Sequence, residues 1–562
     1  MLVRFAPALA IAVLIGPVLA GIAGVALPAF GYLPALGGHV VSLAPWQRLL
    51  AEPGLATSVA LSLWTGLAST LIATAIALLF VAAWSDTRAF VWMRRVLSPL
   101  LSLPHAAAAL GLAFLISPSG WIVRLLSPWA TGLDRPPDLL IVHDPAGLAM
   151  IAALVAKEVP FLLLMALAAL PQTDAGRLSR VATGFGYGGI AGFAYAVLPR
   201  LYPQLRLPIF AVIAFATSTV EVALVLGPTT PAPLAVRLVD WMGDADLTRR
   251  FSASAGALLQ VAVTAAALLA WLALERLVAV IGRGAIASGH RLRRDGPLRV
   301  LAAGLALLCA VMIGAGLAGL TVWSLAGVWR FPDALPTRWS LSAWTEASSG
   351  TGALVITTVA IALLATAAAT LLTLACLENE SRQGRAPGTR VLSLLYLPII
   401  VPQVSFLFGL QVLLLAVGVR PSLAAVAFAH LVFVLPYVLL SLGDSWRAQD
   451  PRYARVAAAL GASEIRIFWR VRLPMLLPAV LTAAAVGFAV SVGLYLPTLL
   501  IGAGRLPTVT TEAIALAAGG SRGLIGVMAV WQMLLPLAAF SLALAIPALR
   551  ARRFAAAWRI AA

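Results

Sequence analysis

The sequence predicts an all-α polytopic membrane protein, with about twelve transmembrane helices arranged as two parallel six-helix repeats. Three observations carry that prediction. First, 62% of the 562 residues are hydrophobic and only 11% are charged. A soluble domain averages about 25% charged residues, so this chain has too little polar surface to face water. Second, apolar runs of about 20 residues recur from end to end, each long enough to cross a hydrocarbon core of roughly 30 Å as a helix. Such runs are too long and too continuous for barrel strands, the other structure that satisfies its own backbone in lipid. Third, landmarks of the first half recur in the same order in the second.

The runs fall at 5–26, 57–83, 96–117, 146–170, 208–228, 253–281, 300–325, 352–377, 391–417, 422–443, 480–502 and 522–549. The first follows Arg4 and imitates a signal peptide, with "VLAGIAG" as a cleavage site. The many later spans favour an uncleaved first helix. The net charge of +18 would suit nucleic acid if it were clustered in a tail, but the chain has a single lysine, Lys157, and its arginines are dispersed. They read as a topology signal, with no nucleic-acid partner. With the N-terminus inside, most basic residues fall in cytoplasmic segments, marked by Arg94 and Arg95, by Arg291, Arg293 and Arg294, and by Arg550, Arg552 and Arg553. An even number of spans then puts both termini in the cytoplasm. Cys309 and Cys376 lie inside apolar runs and form no disulfide framework, and the five histidines include no H-x-x-x-H pair, so no metal site is expected.

The segment 282–299, "GRGAIASGHRLRRDGPLR", is a short basic linker between a first half, 1–281, and a second, 300–562. Arg455–Pro474, "RVAAALGASEIRIFWRVRLP", aligns without a gap on Arg180–Pro199, "RVATGFGYGGIAGFAYAVLP", 275 residues earlier. "VPFLLL" at Val159 pairs with "LPYVLL" at Leu435, "RVLS" at Arg95 with the same letters at Arg390, and Pro104-x6-Gly111-Leu112 with Pro402-x6-Gly409-Leu410. Six spans separate equivalent points, so the repeat is parallel, about an axis along the membrane normal.

The polar stretch reads as a helix–turn–helix elbow on the membrane surface. Pro451 starts a helix rich in alanine, Gly461 permits a left-handed turn, and Ser463 caps a second short helix with Glu464 in its first turn. Ile465, Phe468 and Trp469 fall on one face of that helix, and Arg466 and Arg470 on the next. Pro474 ends it at Leu473 and restarts the chain at the membrane. A single copy would read as an interfacial amphipathic helix; two copies with one Gly-to-Pro spacing point to a shared mechanical role.

The pattern Gly461…Val471-x-Leu473-Pro474, with "RVA" ahead of the glycine, resembles the "EAA…G…I-x-L-P" cytoplasmic loop of permease subunits of binding-protein-dependent ABC importers. Arg455 stands where that family has glutamate and Val456 where it has the first alanine. In the first half Arg180, Val181, Ala182, Gly186, Leu198 and Pro199 keep the frame, with Ala196 at the branched position. The resemblance implies that the loops, 172–207 and 444–479, couple the membrane helices to a separate ATPase, through Arg180, Ala182, Gly186, Leu198, Pro199, Arg455, Ala457, Gly461, Phe468, Trp469, Leu473 and Pro474. It further implies two ATPase copies, an extracytoplasmic solute-binding protein, a small-molecule solute and a bacterial inner-membrane location. No G-x-x-x-x-G-K-[ST] loop is present, so this chain is no enzyme and holds no cofactor; ATP and magnesium belong to the partner. "STVEVALVLGPTTPAPLAV" (Ser218–Val236) and "SVGLYLPTLLIGAGRLPTVTTEAIAL" (Ser491–Leu516) most resemble fused permeases of the thiamine and iron(III) branch.

Glu221, three residues after Ser218 in the fifth run, is costly in hydrocarbon and turns toward a pathway or a partner helix. Leu494 reads as its counterpart. Ser218, Glu221, Ser491 and Tyr495 are the candidate path residues, favourable to a cation such as thiamine. Lys157 and Glu158, adjacent in sequence, face different directions and are expected to bond to neighbouring helices. The tryptophans read as interface anchors, not a cation cage. A major-facilitator-like secondary transporter is the alternative, but its G-x-x-x-D-R-x-G-R-R loop is missing from "WSDTRAFVWMRR" (Trp84–Arg95). An intramembrane enzyme would need a Ser/His dyad, paired carboxylates or H-E-x-x-H, and none is found.

Overall fold

A computed structural model describes residues 2–85, 87, 103–289, 291, 293–384, 388 and 394–561, with side chains to 550. Among these, eleven helical segments are long and apolar enough to cross a membrane. They are α1 (Val3–Ala29), α2 (Leu55–Trp84), α3 (His105–Leu126), α4 (Leu148–Thr173), α5 (Gly189–Ser218), α6 (Arg249–Ala287), α7 (Gly296–Ser324), α8 (Ser342–Gln383), α10 (Leu423–Arg447), α11 (Glu464–Gly493) and α12 (Arg522–Arg550). Between α8 and α10 lies the shorter α9 (Gln403–Ala416), at the place of the ninth predicted run. Arg94, Arg95, Arg390, most of the 84–95 loop and the start of the third run lie outside the described residues, as do the side chains of Arg552 and Arg553.

Three boundaries differ from the sequence reading. The fifth and eleventh runs, placed at 208–228 and 480–502, are instead helices that end at Ser218 and Gly493 and are followed by separate short helices, Glu221–Leu226 and Leu496–Gly502. A hydropathy window averages over such a break, because the few polar residues at it, Thr217–Thr219 and Glu221 in the first half, sit between strongly apolar stretches. The linker is also shorter than expected: α6 runs to Ala287 and α7 begins at Gly296, leaving 288–295 between them. Gly282 and Gly284 are tolerated inside α6, where each weakens the helix by about 1 kcal/mol relative to alanine without breaking it.

Small residues let helices of the two halves approach closely, the usual basis of packing in lipid. A Cβ built on Gly21 of α1 would fall on the Phe406 carbonyl of α9, and one on Gly24 on the Gly409 carbonyl. Across the molecule, a Cβ on Gly111 of α3 would lie 2.9 Å from the Gly316 carbonyl carbon of α7. The first helix of each half therefore packs on the third span of the other.

The bundle has two distinct ends. At one, Ala10 and Leu14 of α1 pack with Leu377, Leu442, Trp446 and Leu476. Trp84 at the end of α2 donates to the Arg299 carbonyl at the start of α7 (3.0 Å). At the other end, Glu52 ahead of α2 pairs with Arg249 at the start of α6 (3.0 Å), and a two-stranded hairpin pairs Ala326–Val328 with Arg338–Trp339. Here Arg124, only 4% exposed, lies 5.0 Å from the Trp329 ring and 5.7 Å from that of Trp323. It donates to the Arg330 carbonyl at 2.8 Å. Trp323 and Trp329 thus stack against one of the protein's own arginines, and the contact ties α3 to the hairpin.

Candidate functional site

The two elbows repeat element by element in a register of 275 residues, the first helix alone beginning two residues earlier in the first elbow. Helix Ala175–Gly184 matches Arg452–Ala459, Gly189–Gly192 matches Glu464–Ile467, and the π-turn Phe193–Val197 matches Phe468–Arg472. The helices that follow end at the same register, Ser218 and Gly493. Gly186 and Gly461 have φ of +82° and +81°, a left-handed conformation that glycine adopts without a Cβ penalty. Each closes a Schellman cap. Ala462 N–H donates to Ala457 O (3.0 Å) and Gly461 N–H to Ala458 O (2.9 Å); Tyr187 N–H donates to Ala182 O (3.2 Å) and Gly186 N–H to Thr183 O (2.9 Å). Ala182 and Ala457 are therefore acceptors of the turn.

Pro199 and Pro474 do not interrupt the chain as expected. The elbow helix continues into the span, because a π-turn sits just ahead of each proline. It accommodates both the missing N–H and the clash with the carbonyl four residues back. Leu198 and Leu473 are half-buried there, and the prolines are exposed. Ser463 occupies the N-cap without a side-chain cap bond. Phe468 does not share an outward face with its neighbours: it turns inward onto Trp446, with ring centroids 6.3 Å apart, while Ile465 and Trp469 stay exposed. Arg180 and Arg455 are exposed.

Both elbows lie on one end of the bundle. The second packs on the Trp446 cluster with the start of α1. The first touches the segment leading to Arg299, whose carbonyl receives Trp84. Each elbow also presents an outward apolar pair that the sequence reading passed over: Val181 and Phe185 (50% and 62% exposed), and Val456 and Leu460 (60% and 83%). The pairs are four residues apart on one helix face and 275 residues from each other, a register in which they were legible. Beneath the second elbow, Glu378 at the end of α8 accepts from Arg472 (2.6 Å) and Arg382 (2.7 Å).

A second polar centre lies where α5 and α11 break. Thr219 and Leu494 leave the helical conformation (ψ 132° and 121°). Glu221 is therefore in the first turn of a short helix rather than mid-span, and its structural counterpart is Leu496, not Leu494. Glu221 and Tyr495 are both 9% exposed and within electrostatic reach of each other. Glu221 also feels His105, whose ring lies 4.4 Å from that of Phe215 and whose Nε2 is 3.1 Å from Glu158 Oε1. Tyr437 of the second half lies within electrostatic reach of Glu158. The expected inter-helix bond of Glu158 is thus present, and Lys157 beside it is buried. His105 and Tyr437 were missed; the landmark proline at 104 was the available signal. Ser218 donates to Ala214 O (2.7 Å) and Ser491 lies 2.8 Å from His430 Nδ1, whose Nε2 reaches Thr498 (2.9 Å). The hydroxyls of both serines are engaged by the helices around them.

An all-helical bundle with two surface elbows on one end and a buried polar centre between its halves has the form of the membrane subunit of a transporter driven by a separate motor. Residues 375–549 match the family described as the binding-protein-dependent transport system inner membrane component. Over 509 residues the chain is 31% identical to the inner membrane ABC transporter permease protein YnjC of Escherichia coli K12, covering 89% of this chain and 90% of that one. Shorter matches join it to the molybdenum transport system permease protein ModB of Mycobacterium tuberculosis (38% over 89 residues, 16% of this chain and 34% of the relative). A similar match is to the spermidine/putrescine transport system permease protein PotC of Escherichia coli K12 (29% over 101 residues, 18% and 38%). The chain belongs to the ABC importer permeases, non-catalytic membrane subunits that work with an ATPase and a solute-binding protein, and this displaces the secondary-transporter alternative.

Proposed function

We propose that this permease carries a small organic cation, of which thiamine is the first candidate, and that its two elbows seat two ATPase copies on the cytoplasmic side, where both termini lie. The observation that carries the solute class is the Glu221–His105–Glu158 group at the helix break, joined by Tyr495 and Tyr437. Within that group Glu158 already meets His105 at 3.1 Å and the charge of Lys157. The argument therefore rests on Glu221, a carboxylate costly to bury in a membrane bundle, whose counterpart in the second half, Leu496, is apolar. The spermidine/putrescine relative supports a cation as well, since those amines are positively charged at neutral pH. Division into two halves joined by the segment 288–295, within the 282–299 expected, is supported by the reciprocal packing of Gly21 on Phe406 and Gly111 on Gly316, and two elbows imply two ATPase copies. Ser218 and Ser491 shape the break, while Glu221 and Tyr495 meet the solute.

The test is uptake in proteoliposomes holding the permease, its ATPase and its binding protein, with thiamine, spermidine and molybdate offered in parallel. Wild type should take up one cation and lose it in Glu221→Gln while basal ATP hydrolysis persists. Uptake of molybdate alone, or unchanged cation uptake by Glu221→Gln, would overturn the reading.

A further inference from the structure

The two elbows are alike in backbone and unlike in charge. The second carries Glu464 at the start of its short helix and Arg466 and Arg470 along it; the equivalent residues of the first are Gly189, Ala191 and Tyr195. At these three positions the first elbow lacks one acid and two bases; a further arginine, Arg472, whose counterpart is Val197, is held by Glu378 instead of lying on the rim.

The linker stands where those charges are missing. Asp295 Oδ2 accepts from the Ile190 backbone N–H at 3.1 Å, at the start of the short helix Gly189–Gly192, and a Cβ on Gly189 would lie 3.2 Å from that same oxygen. A carboxylate thus occupies the helix start that Glu464 occupies in the second elbow. Arg291 and Arg293 lie over the turn: a Cβ on Gly186 would be 3.5 Å from Arg291 Nη1 and 3.6 Å from Arg293 Nη2. Both arginines are exposed. At the equivalent Gly461 no atom of the described residues lies within 4 Å of an added Cβ. Arg299 holds Asp295 at 3.9 Å, and Trp84 holds the Arg299 backbone, so the linker is anchored from behind.

We propose that the linker completes the first ATPase seat: Asp295 caps the first elbow, and Arg291 with Arg293 replaces the basic rim that Arg466 and Arg470 form on the second. The inference rests on the elbows being ATPase seats. The partner surface it requires is an acidic rim around an apolar pocket, with Phe185 or Leu460 entering the pocket and linker or elbow arginines meeting the carboxylates. One ATPase copy then docks on a composite of elbow and linker, the other on an elbow alone. A role for the linker as a passive tether predicts none of these contacts.

Single cysteines at Phe185 and at Leu460 in the full-length permease, cross-linked to the ATPase subunit over a range of its concentrations, read each seat separately. Reversing Arg291 and Arg293 to glutamate should raise the ATPase concentration needed for half-maximal cross-linking at Phe185 by about tenfold and leave Leu460 unchanged. Asp295→Ala should act in the same direction, with Asp295→Glu restoring the wild-type value. Reversing Arg466 and Arg470 should have the mirror effect. The unaffected seat is the folding control in each case, and a variant that loses both seats is replaced by Asp295→Asn. Unchanged cross-linking at Phe185 in the reversed linker overturns the inference. Absence of cross-linking at both seats in the wild-type background overturns the ATPase-seat reading itself.

Discussion

Glu378 is the joint between the second elbow and the bundle. Its side chain is 3% exposed and meets Arg472, 14% exposed, at 2.6 Å and Arg382, 30% exposed, at 2.7 Å. Arg472 is the last residue of the π-turn, so this contact fixes the direction in which the elbow leaves the membrane. Replacing Glu378 with alanine leaves two guanidinium groups facing an emptied, buried site. Breaking a buried pair by removing one partner costs about 3–5 kcal/mol. Arg382 can reach water, which brings the expectation to the lower end, about 3 kcal/mol, of which solvent screening at Arg382 removes a part. The assay is a double-mutant cycle on Glu378 and Arg472, read by reversible unfolding in mixed micelles. The coupling should be about 2–3 kcal/mol. The same cycle on Arg447 and Asp444, 3.9 Å apart with Asp444 93% exposed, should give less than about 0.5 kcal/mol. Glu378→Gln, which keeps one acceptor, should fall between. Equal coupling in the two cycles, or a Glu378→Ala protein as stable as wild type, would refute the argument.

Three further outcomes follow from the packing. Gly409→Val should prevent α1 from closing on α9, because the new side chain meets the Gly21 carbonyl; a shortfall of folded protein in fluorescence-detected gel filtration checks it, with Gly304→Val, where no atom of the described residues lies within 4 Å of an added Cβ, as the harmless control. Arg124→Lys should lower the melting temperature nearly as far as Arg124→Ala, since an ammonium reproduces neither the planar stack on Trp329 nor the paired donation to the Arg330 and Ser119 carbonyls. His430→Ala leaves the buried Ser491 and Thr498 hydroxyls without their shared partner, at about 1–3 kcal/mol, and should speed hydrogen exchange across 491–500.

How much of this was legible before the structure differs by feature. The spans were readable because the cost of exposing backbone and polar side chains to lipid forces long apolar runs, and every one of the twelve runs has a helix at its place among the described residues. The elbows were readable because a left-handed glycine and a following proline are positions where few other residues serve, so the pattern survives even where Arg466 has become Ala191. The breaks at Thr219 and Leu494 were not legible from hydropathy averaged over a span, since a change in ψ at one residue does not end an apolar run, although Thr217–Thr219 and Glu221 mark the first of them locally. Nor did it reveal the π-turns: Pro474 signals the end of a helix locally, and only the wider turn ahead of it lets the helix continue. Contacts between distant segments, such as Gly21 on Phe406, His105 on Glu158 and Asp295 on Ile190, depend on tertiary arrangement that no local pattern encodes.

The central claim is that the elbows transmit the motor's work, and the most direct measurement is co-purification of the ATPase subunit with the wild-type permease and with the double variant Gly186→Pro, Gly461→Pro. Proline is locked near φ −65° and cannot adopt the +82° and +81° that these turns require, while every span is left intact. The account predicts that wild type retains the ATPase and that the double variant inserts in the membrane at normal yield without it. A well-folded double variant that still carries the ATPase would contradict the account.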